Sequence, residues 1–495
     1  MNTILPERHF VPRDFLCDHP ERVSSLYAQL QERSIPETSD ALRQWILDWS
    51  EFESLLREEG ARRYIAMTKD TRDTVAAQAF EYFTTQIEPV AAEASDRLKR
   101  KLVSHPSYSS LRNEYATWFR DVEVSLELFR PENIPLETRV ALEVQSYQKI
   151  TGSMSVQFQG EERTLPQMAP FQQSPNRKLR EEAWRLVAER RLRDHEALDE
   201  AFDRLFALRQ EMAGNAGFKA DFLSYIFKAK GRFDYSPADC RAFHQSIRDQ
   251  VVPRIRKIMV RRAKTMGLPS LRPWDLDCDP LGREALKPFS TGAELLQKTG
   301  VVFDRLHPQL AQWFHQMCDQ GLIDADSRMG KAPGGYQISL DASRVPFIFT
   351  NAAGTNGDVY TLLHESGHSF HQFAMAGQPI LAFRETGAEF AEVASMSMEL
   401  IGSSDLTPFY ASAEAARSRA EQLEDVILLF PWVAMVDAFQ HRLYMFPQHK
   451  AEDRRRIWLE LQEEFDYGVD WTGLEQEHAY YWQRQLHLFE VPFYY

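Results

Sequence analysis

Apolar residues recur at three- and four-residue spacing through most of this chain and leave that rhythm in only a few places. From about Asp40 to Lys149, segments such as "ALRQWILDWSEFESLL" and "DTVAAQAFEYFTTQIEPVAAEASDRL" predict a helical lobe with few glycines. At Met154 the period shifts to two, and "MSVQFQGEERTLPQM" predicts a β-hairpin near 154–165 that turns at Gln159 and Gly160. The helical pattern resumes from about Lys178 to Gly267, pauses at the proline- and aspartate-rich "SLRPWDLDCDPLG", and continues in a helical pair that ends near Gly321. "GGYQISL" and "VPFIFTN" are short, rich in β-branched or aromatic residues and bounded by Gly, Pro and Asn, which predicts two strands. Pro346 marks the second as an edge strand, because proline cannot donate to a ladder. From Asp358 onward the pattern is helical, apart from loops near Gly402 and Tyr467. The expected fold is mainly α with a small β-sheet, divided into an N-terminal helical lobe over 1–175 and a second helical region over 176–495.

Composition narrows the class. At 495 residues the chain exceeds the size of a single core, so two lobes or two to three coupled domains are expected. A 43% hydrophobic and 26% charged content is that of a folded chain rather than a disordered one. The net charge of −14 excludes a general attraction to nucleic acid or anionic membrane. The basic runs beginning at Asn176 and Arg254 carry apolar residues at helical spacing and read as solvated faces of amphipathic helices. Cys17, Cys240, Cys278 and Cys318 are far apart and form no C-x-x-C pair, which predicts free thiols rather than disulfides or a thiolate metal site. "MNTILPERHFVPRDF" lacks the pattern of a secretory signal, and the longest apolar run, "VILLFPWVAMV", has 11 residues and contains Pro431. These features predict a cytoplasmic protein with neither nucleic acid nor membrane as partner.

Candidate chemistry concentrates in "DVYTLLHESGHSFHQFA", where Asp358 is the expected N-cap. On a helix, His364 and His368 lie about 40° apart on one face, with Glu365 about 60–100° away on the flank. Two imidazoles so placed can grip one ion while the glutamate reaches a water beside it, the H-E-x-x-H arrangement of zinc hydrolases. A stray match is expected on the order of one per cent of the time; the apolar surroundings Leu362, Leu363, Phe370 and Phe373 make it rarer still, because buried ionisable groups need a partner. Gly367 predicts another backbone packed close by. His371 follows on the same stripe and is expected to line the pocket or touch substrate. A metzincin would carry glycine at position 371 and histidine at position 374, and the chain has His371 and Ala374.

A third ligand must come from another element, since tetrahedral geometry is poorly served by one helix. "ETGAEFAEVASMSMEL" offers Glu385, Glu389, Glu392 and Glu399, and its mostly apolar or small remainder predicts a buried helix. Glu392 is the most central, and Glu399, two turns on, is placed to support a ligand imidazole.

"GKAPGGYQISL", "PFIFTNAAGTNGDVYTLLHESGHSFHQF" and "FAEVASMSMEL" together resemble the oligoendopeptidase F and thimet oligopeptidase family of zinc metallopeptidases. "RRYIAMTKDTRD", "NAGFKADFLSYIF" and "RPWDLD" extend the resemblance to the oligoendopeptidase F branch. It implies one zinc ion held by His364, His368 and Glu392, with Glu365 as general base. It also implies oxyanion donors from the C-terminal "QLHLFEVPFYY", namely His487 and Tyr494 with Tyr495 nearby, and substrate contacts from Gly335 and Tyr336. Two helical lobes are expected to enclose a deep channel that admits short unstructured peptides, with the "VPFIFTN" edge holding them extended. Members of the family continue past the tyrosine motif, so the chain ending at Tyr495 is expected to be a truncated or processed form. Two other readings are a peptidyl dipeptidase of the angiotensin-converting-enzyme type, with Arg384 or Lys331 taking the substrate carboxylate, and a catalytically impaired zinc-containing peptide-binding protein.

Overall fold

The computed structural model describes residues 8–494, so Tyr495 lies outside the described residues. The N-terminal helices are organised around the helix Ser39–Lys69, capped by the Thr38 hydroxyl, which accepts from the Ala41 amide. Its apolar stripe, with Trp45, Ile46, Trp49 and Phe52, packs against Pro20–Glu32, Glu88–Ser104 and Ala116–Leu128 in one cluster. The predicted hairpin is present as β1 (Ser155–Phe158) and β2 (Glu161–Thr164), paired antiparallel. Gln159 at φ 53° and Gly160 at φ 82° supply the two left-handed residues that a type I′ turn demands. Val156 and Phe158 point into a second, larger cluster shared with Phe202, Phe439, Trp458 and Phe489.

The small sheet departs from expectation. A third strand, β3 (Ile323–Asp326), joins β4 (Tyr336–Leu340) and β5 (Val345–Ala352) in the order β3-β5-β4. The "VPFIFTN" strand is therefore central, not an edge. Pro346 is tolerated because β3 starts later than β5. The Ile348 amide donates to the Leu322 carbonyl at 2.8 Å, and Pro346, two residues earlier on the same side, precedes the reach of β3. The four-residue sequence of β3, "IDAD", is too short and too acidic to show a strand pattern. The outer strands are β3 and β4.

Three helices follow. The histidine helix, Asn356–Met375, starts one turn earlier than expected: Thr355 is the N-cap and Asp358 closes a capping box from the third position. The glutamate helix, Ala388–Gly402, is not buried as expected. Ser395, Met398 and Gly402 are its buried residues, whereas Phe390 is 73% and Val393 59% exposed. One narrow face packs on the histidine helix and the remainder stays open. The long helix Ser412–Met445 carries Pro431 and runs alongside. No helix among the described residues is long and apolar enough to cross a membrane.

Candidate metal centre

Small residues bring the histidine and glutamate helices together. A Cβ on Gly367 would sit 2.6 Å from the Ala394 carbonyl oxygen and 2.6 Å from Ser395 Cα, so only glycine permits the observed crossing. Gly402 plays the matching part on the other helix, lying against the Leu363 side chain. This close approach places the carboxylate of Glu392 opposite both imidazoles. Its Oε2 is 3.2 Å from His364 Nε2 and its Oε1 is 3.8 Å from His368 Nε2. One donor atom from each of His364, His368 and Glu392 lies within 4.8 Å of the others.

The surrounding hydrogen bonds aim these atoms. His364 Nδ1 donates to Glu399 Oε1 at 2.7 Å, which turns Nε2 toward Glu392. Gln422 donates to the other oxygen of Glu399. The Ser395 hydroxyl donates to Glu392 Oε2 at 2.8 Å, and the Tyr494 hydroxyl to Oε1 at 2.6 Å. Burial pulls His364 down, but its contacts with Glu392 and Glu399 outweigh this and carry it up to about 10. Glu392 is pushed up by burial, yet hydrogen bonds from His364, Tyr494 and Ser395 bring it down to about 2. Burial leaves His368 near 4. The carboxylates of Glu392 and Glu399 thus favour positive charge at His364, while burial opposes it at His368. Two imidazole nitrogens, a carboxylate and a buried polar shell fit a zinc-class cation.

Glu365 is 7% exposed and sits beside the histidines, its carboxyl pushed up to about 7 by burial despite the opposing charge of His364. Gly335 lies against it: a Cβ there would be 3.7 Å from Glu365 Oε1 and 3.3 Å from the Phe349 carbonyl. Tyr336 stacks on Phe349 and shares a 2.7 Å hydrogen bond with Thr68. His364, Glu365, His368, Glu392, Gly335 and Tyr336 line a cavity of about 1230 Å³ together with His487, Glu490, Tyr494 and the apolar Val426, Leu429 and Val433.

Most residues singled out in the sequence converge here. His487 stacks on Tyr494 with ring centroids 4.3 Å apart. His371 is not among the residues that line the cavity. Glu385 pairs with Arg57, and Glu389 accepts from Tyr235, so neither competes with Glu392. Lys331 and Arg384 are both buried and committed. Lys331 donates to Asp324 and the Thr350 carbonyl, and Arg384 to the Asp341 carbonyl and Ser54. Neither lines the cavity as a carboxylate-binding cation would. Ser395 and Gln422 were missed. Ser395 had a local signal in "EVAS", three residues after Glu392, whereas Gln422, 23 residues from Glu399, had none.

Residues 171–495 match the model of peptidase family M3, and residues 20–129 match the peptidase M3 N-terminal domain. The group B oligopeptidase PepB of Streptococcus agalactiae serotype III (strain NEM316) is 30% identical over 152 residues, which are 30% of this chain and 24% of that protein. The alignment thus spans about a quarter of the relative's length. Among solved structures, a PZ peptidase A with an inhibitor superposes with a TM-score of 0.92 at 26% identity, covering 98% of this chain and 86% of that one. A structure assigned to oligoendopeptidase F gives a TM-score of 0.92 at 25% identity, covering 99% and 86%. With the family model spanning both metal-centre helices and the C-terminal tyrosine, this chain belongs to peptidase family M3.

Proposed function

We propose that the chain is a zinc-dependent endopeptidase that hydrolyses internal bonds of short, unstructured peptides. The observation that carries this reading is the convergence of His364, His368 and Glu392 beside the buried Glu365 on the wall of one large cavity. His364 and His368, through Nε2, and Glu392, through its carboxylate, would hold the ion. When bound, zinc supplies Lewis acidity to a water and to the scissile carbonyl.

The chain's own groups do the rest. Glu365, raised toward neutrality by burial, takes a proton from the attacking water at its carboxylate and returns it to the leaving amine. The carboxylate is pinned between the histidine helix and Gly335, so it enters the reaction already oriented. Tyr494 and His487 supply hydrogen-bond donors to the developing oxyanion from the opposite wall. The outer strand β4 borders the cavity through Tyr336, Gln337 and Ile338 and offers an unpaired edge to an extended peptide. Such an edge recognises main chain, while Val426, Leu429 and Val433 favour apolar side chains. The unpaired cysteines suit a reducing compartment such as the cytoplasm.

Mass-spectrometric mapping of products from a peptide amidated at its C-terminus tests the reading. Continued internal cleavage is expected; cleavage only of peptides with a free C-terminal carboxylate would instead indicate a peptidyl dipeptidase.

A further inference from the structure

A second group of ligand-type side chains lies on the far wall of the same cavity. Cys240 and His244 are one turn apart on the helix Pro237–Ser246, whose start is fixed by a Ser236–Asp239 capping box. Asp437 and His441 are likewise one turn apart on the long helix Ser412–Met445. Where the two helices meet, Cys240 Sγ, an Asp437 oxygen and a His441 ring nitrogen all lie within 4.8 Å of one another. His244 Nε2 is 2.7 Å from Asp437 Oδ2 and holds that carboxylate in place.

Asp437 and His441 are buried, Cys240 is half-buried, and the group is only partly satisfied. His441 is 3% exposed, and neither of its ring nitrogens has a hydrogen-bond partner; Asp437 Oδ1 also lacks one. His441 Nε2 comes within 3.3 Å of Asp437 Oδ2 without forming a hydrogen bond. Each such buried orphan is destabilising unless something bonds to it. Apart from Asp437, the His441 ring meets Phe227, Phe493 and His244 edge-on. Sulfur, nitrogen and oxygen donors meet here, and buried polar groups of this kind call for a further partner, which a cation can supply.

We propose that Cys240, Asp437 and His441 form a second cation site, selective for zinc-class ions. One thiolate, one imidazole and one carboxylate are the donors such ions favour, and hard cations such as magnesium prefer all-oxygen sets. Cys240 binds as thiolate, its proton passing to solvent. His244 acts from outside the ligand set by orienting Asp437. Cys240 and Asp437 both line the substrate cavity, so the remaining coordination position faces it. The site also adjoins the C-terminal segment. Phe493 packs on His441 with ring centroids 5.4 Å apart, and the next residue, Tyr494, bonds Glu392. An ion that fixes His441 therefore steadies the segment that carries Tyr494.

The test is spectroscopic and needs no turnover. The full chain, stripped with chelator, is titrated with Co²⁺ alone. Because the His364, His368 and Glu392 centre contains no sulfur, a thiolate-to-cobalt charge-transfer band reports only the second site. The expected result is such a band in the native chain and in His364→Ala, lost in Cys240→Ser, with native protein binding one more ion than Cys240→Ser. No band in the native chain, or a band that survives in Cys240→Ser, overturns the proposal. Should Cys240→Ser not fold, iodoacetamide labelling of the native chain decides by peptide mapping. Zn²⁺ slows alkylation of Cys240 if the site exists, and an unchanged rate overturns it. Failure of the first centre is read separately, as loss of the sulfur-free ion.

Discussion

The two walls of the cavity are held by different physics. On one, His364, His368 and Glu392 project from two helices whose backbones touch at Gly367, so their positions follow from helix geometry and one close crossing. On the other, the segment from Gln485 to Tyr494 has little regular structure and is held by long-range contacts. Arg209 donates to the Leu488 and Phe489 carbonyls, Arg232 to the Phe493 carbonyl at 2.7 Å, and Phe493 donates its amide to Gln440 at 2.6 Å. Phe493 itself is left-handed at φ 54°, a conformation that costs a bulky residue about 1–2 kcal/mol and persists only because these contacts impose it. The first wall is placed by local rules and the second by the finished fold. Ligand binding should therefore depend on the first wall, and rate on both.

The largest effect expected from breaking this division is at the tail. Tyr494→Phe removes an oxyanion donor and also the hydrogen bond that aims Glu392, so at saturating metal kcat should fall about 10²-fold, beyond any weakening of metal binding. Steady-state kinetics with metal titration checks this; an unchanged kcat at saturating metal would show that the hydroxyl serves only to orient Glu392. On the helical wall, Glu399→Gln removes the carboxylate that aims His364 and should weaken metal binding by about 10–100-fold. Competition with a chromophoric chelator measures it.

Smaller effects report stability. Gly367→Ala forces a Cβ to within 2.6 Å of the Ala394 carbonyl, and the strain should cost about 1–3 kcal/mol in denaturant unfolding. Smallest is the pH response of the tail. Burial raises the Glu490 carboxyl from 4.5 to about 7, so the folded chain holds that proton more tightly than the unfolded chain. Its contribution to stability is full below pH 4.5 and lost as pH rises through 7. Glu490→Gln lacks this penalty and should gain on the native chain across that window, by about 1–2 kcal/mol at pH 8 for a partly exposed side chain. Denaturation midpoints at low and high pH give the difference.

This contrast also explains what the sequence disclosed. Helices, hairpin and the His364–Glu365–His368 stripe rest on short-range periodicity and were legible, as was the tight packing implied by Gly367. Pro346 misled because its effect depends on where β3 begins, which nothing near residue 346 encodes. The glutamate helix looked buried because its composition is apolar, yet Phe390 and Val393 face outward. Cys240 read as an isolated thiol because Asp437 and His441 lie about two hundred residues away and meet it only after folding. Ser395 and Gln422 likewise owe their roles to neighbours that the chain brings together late.

The proposed function places the proton transfer on Glu365, beside a metal held by His364, His368 and Glu392. Turnover of a quenched fluorescent peptide by metal-loaded native chain and by equally loaded Glu365→Gln tests it most directly. The expected result is equal metal content with hydrolysis reduced about 10²–10⁴-fold in the variant. Equal hydrolysis by both, or no hydrolysis by either at full metal loading, would contradict it.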